Sequence, residues 1–175
     1  MKTMSSRQTG FTLIELMVAL AVLAILLSVA VPSYRDMVLN NRIAAQANEV
    51  ITALNYARSE AVKRGTSATL CPTNGGVTCA GSKNWSTGWL VFADANGNGI
   101  VDGGEDVLRV WPAPKGDNTL NTGVRQRITF SATGTTAGSN DTFRLCDERG
   151  INEARSIVVN VMGRSYVNKG AAQCP

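Results

Sequence analysis

One carboxylate stands out because of where it lies. Glu15 interrupts an otherwise apolar run from Phe11 to Val31, behind a short segment carrying Lys2 and Arg7. An acid in hydrocarbon is costly unless a counter-charge meets it, so such a residue marks a functional site. Cutting the chain between Gly10 and Phe11 would create that counter-charge. The new α-amino group would sit one helical turn from Glu15, and a neighbouring copy would offer its ammonium to the carboxylate.

Two further constellations carry chemistry. Residues 94–105 read Asp-Ala-Asn-Gly-Asn-Gly-Ile-Val-Asp-Gly-Gly-Glu. Asp94, Asn96, Asn98, Asp102 and Glu105 stand at positions 1, 3, 5, 9 and 12 of a twelve-residue calcium loop, with the Ile100 carbonyl at 7 and Gly99 at 6. The flanking segments are strand-like rather than helical, so a hairpin loop rich in turn-forming Asn-Gly and Asp-Gly is the plainer reading. Calcium is possible and no cofactor is required. The second constellation is Arg144, Arg149, Arg155, Arg164 and Lys169 near the C-terminus. Arg164 and Lys169, with Tyr166 to stack on a base, form a candidate DNA site of the phosphate-contacting kind. The competing reading is a solvated, salt-bridged edge strand neutralised by Asp147, Glu148 and Glu153.

Composition narrows the function classes. Histidine is absent, which removes the commonest general base, Ser-His and Cys-His nucleophile pairs, and His-containing zinc sites. No enzyme is expected. Without Lys2 and Arg7 the 17 basic residues become 15 against 13 acidic ones, too balanced for a bulk polybasic nucleic-acid binder. The four cysteines, Cys71, Cys79, Cys146 and Cys174, all follow the apolar run, and an even number in an exported domain predicts disulfides. Three connectivities are open; Cys71 with Cys79 and Cys146 with Cys174 is the favoured one. A four-thiolate metal site lacks the C-x-x-C spacing it would need.

These residues need elements to position them. The 21 residues from Phe11 to Val31 just span a hydrocarbon core of roughly 30 Å at about 1.5 Å each. Pro32 removes one backbone donor and predicts a bend or local unwinding rather than a stop. Helical spacing then resumes, with Ile43, Ala47, Val50, Leu54, Ala57 and Ala61 on one stripe that packs on a sheet. Lys63, Arg64 and Gly65 end the helix near residue 64, giving a spine of about 80 Å. Strands are predicted at 66–70, 88–93, 107–111, 125–130, 142–146 and 155–161. A two-residue turn at Met162-Gly163 leads into a last strand at 164–168. Residues 131–141, rich in Gly, Ser and Thr, read as a mobile loop. An ordinary secretory signal, cut after Ser28-Val29-Ala30, is the alternative for the N-terminus, but such a signal gains nothing from Glu15.

The run Gly10-Phe11-Thr12-Leu13-Ile14-Glu15-Leu16 at the head of an apolar helix resembles the class III signal of type IV pilins and type II secretion pseudopilins. The resemblance implies a prepilin peptidase that cuts after Gly10 and N-methylates Phe11, and a Glu15 that aligns subunits during assembly. Gly88 to Phe92, Asp94 to Gly99, Gly104-Glu105, Leu108-Arg109, Cys146 to Gly150, Ala154-Arg155 and Gly163-Arg164 look like the GspH/FimT-type minor pilins. That likeness implies an α+β pilin fold: a long N-terminal transmembrane and amphipathic helix packed on a small antiparallel β-sheet domain. The implied divisions are a leader at 1–10, a transmembrane half-helix at 11–31, an amphipathic half at 32–64 and a periplasmic β domain at 65–175.

The implied role is a minor type IV pilin that initiates or caps the pilus with other minor pilins and the major pilin. It would be anchored in the inner membrane before assembly and tip-proximal on the cell surface afterwards. Alternatives are a DNA-binding tip pilin for natural transformation and a minor pseudopilin of type II secretion. In DNA-binding FimT-type proteins the last turn would read Gly-Arg-x-Arg. Here Gly163-Arg164-Ser165-Tyr166 lacks the second arginine.

Overall fold

The computed structural model describes residues 10–136, 138–171 and 173–174; the leader's Lys2 and Arg7 lie outside them. The chain divides into two compact units, Met1–Val38 and Leu39–Pro175. One helix, α1 (Leu13–Arg64), runs through both.

In the first unit α1 is exposed throughout and carries an 18-residue window with a mean hydropathy of 2.8, long and apolar enough to cross a membrane. It continues helical through Pro32, without the local unwinding expected there. The missing N–H costs one hydrogen bond in a helix of 52 residues, and neighbouring turns hold the geometry.

In the second unit α1 carries the stripe. Ile43, Ala47, Val50, Leu54, Ala57 and Ala61 are all buried, joined by Leu39 and Ala53. Their spacing of three and four places them on one face, and the small alanines leave room for Trp85, Trp89, Phe130 and Phe143 in the same core. Gln46 is buried too, and it is satisfied: its Nε2 donates to the Lys115 carbonyl at 2.6 Å and its Oε1 accepts from Asn118 at 2.6 Å. Gly65, at φ 67°, takes the left-handed conformation that ends the helix, and its N–H bonds to the Val62 carbonyl.

Among the described residues eight antiparallel strands follow: β1 (Ser67–Pro72), β2 (Trp89–Asp94), β3 (Val107–Trp111), β4 (Thr119–Thr122), β5 (Ile128–Phe130), β6 (Asp141–Cys146), β7 (Arg155–Val159) and β8 (Ser165–Lys169). They form two four-stranded sheets, ordered β3-β2-β1-β5 and β4-β6-β7-β8. The inner faces of both contribute to one core with α1. Leu70, Val91 and Ile128 come from the first sheet, and Leu120, Phe143, Leu145, Ile157 and Val159 from the second.

Several strand expectations needed correction. The strand β4 was not foreseen, because Thr-Leu-Asn-Thr holds a single apolar residue; its pairing with Phe143 and Leu145 across β6 creates it. The predicted strand at 125–130 survives only as Ile128–Phe130. The strand at 155–161 stops at Val159, because a four-residue turn over Asn160 to Gly163 takes its end, with the Gly163 N–H bonding to the Asn160 carbonyl.

Within 131–141, described residues bond to other elements. Thr136 is fully buried, its N–H donates to the Val161 carbonyl at 3.0 Å, and the Ser139 hydroxyl bridges the Thr129 backbone N–H and carbonyl. Polar turn residues close a loop here by bonding to the backbone of β5 and of the last hairpin, which composition alone does not reveal.

Candidate functional site

At the helix start, Thr12 and Glu15 hold each other. The Glu15 N–H donates to Thr12 Oγ1 at 3.2 Å, and Glu15 Oε2 accepts from the Thr12 N–H at 2.9 Å and its hydroxyl at 3.0 Å. This is a reciprocal capping box, which satisfies two of the orphan donors of the first turn. It explains why α1 starts at Leu13 with Thr12 as its cap. The sequence signal was present as Thr-x-x-Glu, and Thr12 was the functional residue missed. A carboxylate has about four acceptor sites on its two oxygens. Only Oε2 is used here, and among the described residues Oε1 has no partner. Glu15 can therefore cap its own helix and still receive an ammonium from outside. Phe11 is almost fully exposed beside it.

The C-terminal basic residues do not converge. Tyr166 and Lys169 are three apart on β8, so alternation puts them on opposite faces of the sheet. Lys169 is spent on an ion pair with Glu153 at 3.0 Å, which together with its charge draws the Glu153 carboxyl below its usual range. Arg155 donates to the carbonyls of Glu153 and Ala154. Arg149 clasps the buried Asp147 carboxylate, at 2.6 Å from Nη2 to Oδ2, and reaches Asn40 on α1 at 3.0 Å. Burial pushes the Asp147 carboxyl up, but the hydrogen bonds and charge of Arg149 outweigh it and hold the group below its usual range. These arginines fasten the C-terminal loops to the domain. Arg144 pairs with Ser156, and Ser156 with Asn168, which puts Arg144 on the Tyr166 face; Arg164 lies in the turn just before β8.

The Asn-rich loop joins β2 to β3. Asp94 closes β2 and is fully buried, while Asn96, Asn98, Asp102 and Glu105 hydrogen-bond within the loop and Ile100 points its side chain to solvent. Among the described residues no three His, Cys, Asp or Glu side chains group to hold a metal. Disulfides join Cys71 to Cys79 and Cys146 to Cys174. The first packs with Leu90 and Phe92; the second ties the end of β6 to the chain beyond β8.

A model of the family described as "Type II transport protein GspH" matches residues 46–163, and the model of the prokaryotic N-terminal methylation motif matches residues 5–31. Two curated proteins of Pseudomonas aeruginosa, both described as fimbrial protein, are 40% identical over 58 residues, covering 33% of this chain and 37% of theirs. The chain thus matches little more than a third of the length of these relatives. Crystal structures of the type IV minor pilin FimU of Pseudomonas aeruginosa superpose with TM-scores of 0.61 and 0.59 at 23% and 22% identity. They cover 77% and 75% of this chain and 96% and 99% of theirs, and the likeness is one of fold.

Proposed function

Since the chain belongs to the GspH family, within the type IV pilin and pseudopilin superfamily, we propose that it is a minor pilin that initiates or caps a type IV pilus. Its role is structural, not catalytic. The observation that carries this reading is the capped helix start at the head of an apolar helix, where one Glu15 carboxylate oxygen has no partner among the described residues. The apolar half anchors the chain in the inner membrane, with residues 65–175 in the periplasm. A prepilin peptidase then cuts between Gly10 and Phe11 and methylates the new N-terminus. As the subunit enters the filament among other minor pilins and the major pilin, Glu15 meets an α-ammonium and the pair neutralises a charge that hydrocarbon would otherwise penalise.

The test is Glu15→Val. The variant should insert and be cleaved as wild type does, yet be depleted from sheared pili; wild-type abundance there would refute the assigned role. Normal pili combined with lost type II secretion would instead make this the minor pseudopilin of a secretion system. A DNA-capturing role rests on Arg164 and Tyr166, aided by Arg144, since Lys169 is paired with Glu153 on the other face.

A further inference from the structure

We propose that the loop of residues 94–105 is a calcium site that locks the β2–β3 hairpin. The observation that carries this is Asp94 Oδ1. Asp94 is completely buried, and its Oδ1 has no hydrogen-bond partner among the described residues. A buried carboxylate oxygen without a donor is expensive, and a cation is one of the few ligands that relieves it.

The other oxygen shows which way the carboxylate faces. Asp94 Oδ2 accepts from the Thr69 hydroxyl at 2.6 Å, which fixes it to β1, and from the Gly99 N–H at 3.0 Å, which turns it into the loop. The rest of the loop is bonded within itself. Asn96 Oδ1 accepts from the Asn98 N–H at 3.0 Å, and Asn98 Oδ1 from the Ile100 N–H at 2.7 Å. Gly97 and Gly99, both at φ 72°, supply the left-handed turns this path requires.

The far end of the loop closes on the near end. Glu105 accepts from the Ala95 N–H at 2.9 Å and the Asp102 N–H at 3.3 Å, and the Ala93 N–H bonds to the Asp106 carbonyl at 3.0 Å. Asp102 Oδ2 takes the amide NH₂ groups of both Asn96 and Asn98, at 2.9 and 2.6 Å. Three carboxylates, two carboxamides and the Ile100 carbonyl lie along one twelve-residue loop; the three acids are not grouped around one point, and calcium would draw them together. Together these groups are an all-oxygen donor set of the number calcium takes, and half of it is amide or carbonyl oxygen rather than acid. Magnesium requires tighter octahedral geometry than so long a loop imposes. The Arg127 side chain lies against Gly99, and its charge keeps the affinity for a cation low.

The test uses the full-length protein in detergent, stripped with chelator and titrated with calcium chloride or magnesium chloride in a calorimeter, with the melting temperature followed in parallel. Wild type should show saturable calcium binding with Kd on the order of 10⁻⁴ to 10⁻³ M, as extracellular modules do. Its melting temperature should rise with calcium and not with magnesium. Glu105→Gln and Asp102→Asn, both away from the buried core, should weaken calcium binding by about 10- to 100-fold. Both should retain the wild-type far-UV spectrum, and neither should gain melting temperature when calcium is added. The proposal is overturned if wild type gives no saturable heat at calcium tenfold above that range, or if both variants bind as wild type does.

Discussion

Removing each disulfide in turn separates two ways a cross-link can stabilise this domain. Cys146 and Cys174 are 28 residues apart, whereas Cys71 and Cys79 are only 8 apart. On the chain-entropy account, opening the longer loop frees the unfolded chain by about 3.6 kcal/mol and opening the shorter one by about 2.5 kcal/mol. Packing acts in the other direction. Cys71 is fully buried against Leu90 and Phe92, so truncation there adds roughly 1 kcal/mol for the lost sulfur and the space it leaves. Cys146 is nearly as buried and carries a similar penalty, so the loop term decides. Cys146→Ala/Cys174→Ala should be the less stable pair, by about 1 kcal/mol. The assay is denaturant unfolding of the full-length protein in mild detergent, followed by the fluorescence of Trp85, Trp89 and Trp111, all in the folded core. Equal losses, or a larger loss from Cys71→Ala/Cys79→Ala, would refute the primacy of loop entropy and assign the difference to packing around Leu90 and Phe92.

Other consequences are local. Gly163 lies at φ 72°, and a Cβ there would collide with the Gly134 carbonyl oxygen, so Gly163→Ala should cost about 2 to 4 kcal/mol and lower the melting temperature; an unchanged melting temperature would contradict the close approach of the two loops. The Asp147 carboxyl is held below its usual range in the folded protein, so its contribution is complete above the unfolded value of about 4 and is lost as pH falls through the folded one. Asp147→Asn should therefore cost about 1 to 3 kcal/mol at pH 6 and nearly nothing at the acid end of a denaturant series; a difference independent of pH would rule out the Arg149 pair as its source.

What the sequence determined by itself was whatever depends on neighbours along the chain. The stripe from Ile43 to Ala61 fixed the buried face of α1, because residues three and four apart share one side of a helix wherever that helix lies. Lys63, Arg64 and Gly65 fixed its end, and the conjunction of Gly10, Phe11 and Glu15 with an apolar run pointed to the superfamily. The Thr12 cap is equally local, written as Thr-x-x-Glu.

Only the tertiary structure decided what depends on partners far away. The strand β4 exists because β6 pairs with it, and Thr136 and Ser139 are held because they find backbone groups on other elements. The basic residues at the C-terminus formed one cluster in sequence and came apart in space. An odd step along β8 turned Lys169 to the opposite face from Tyr166, while Asp147 and Glu153 engaged Arg149 and Lys169 from loops outside the strand. Local pattern sets an element's type and its apolar face. Strand register and charge pairing are set by which distant segments meet, and composition leaves those distances open.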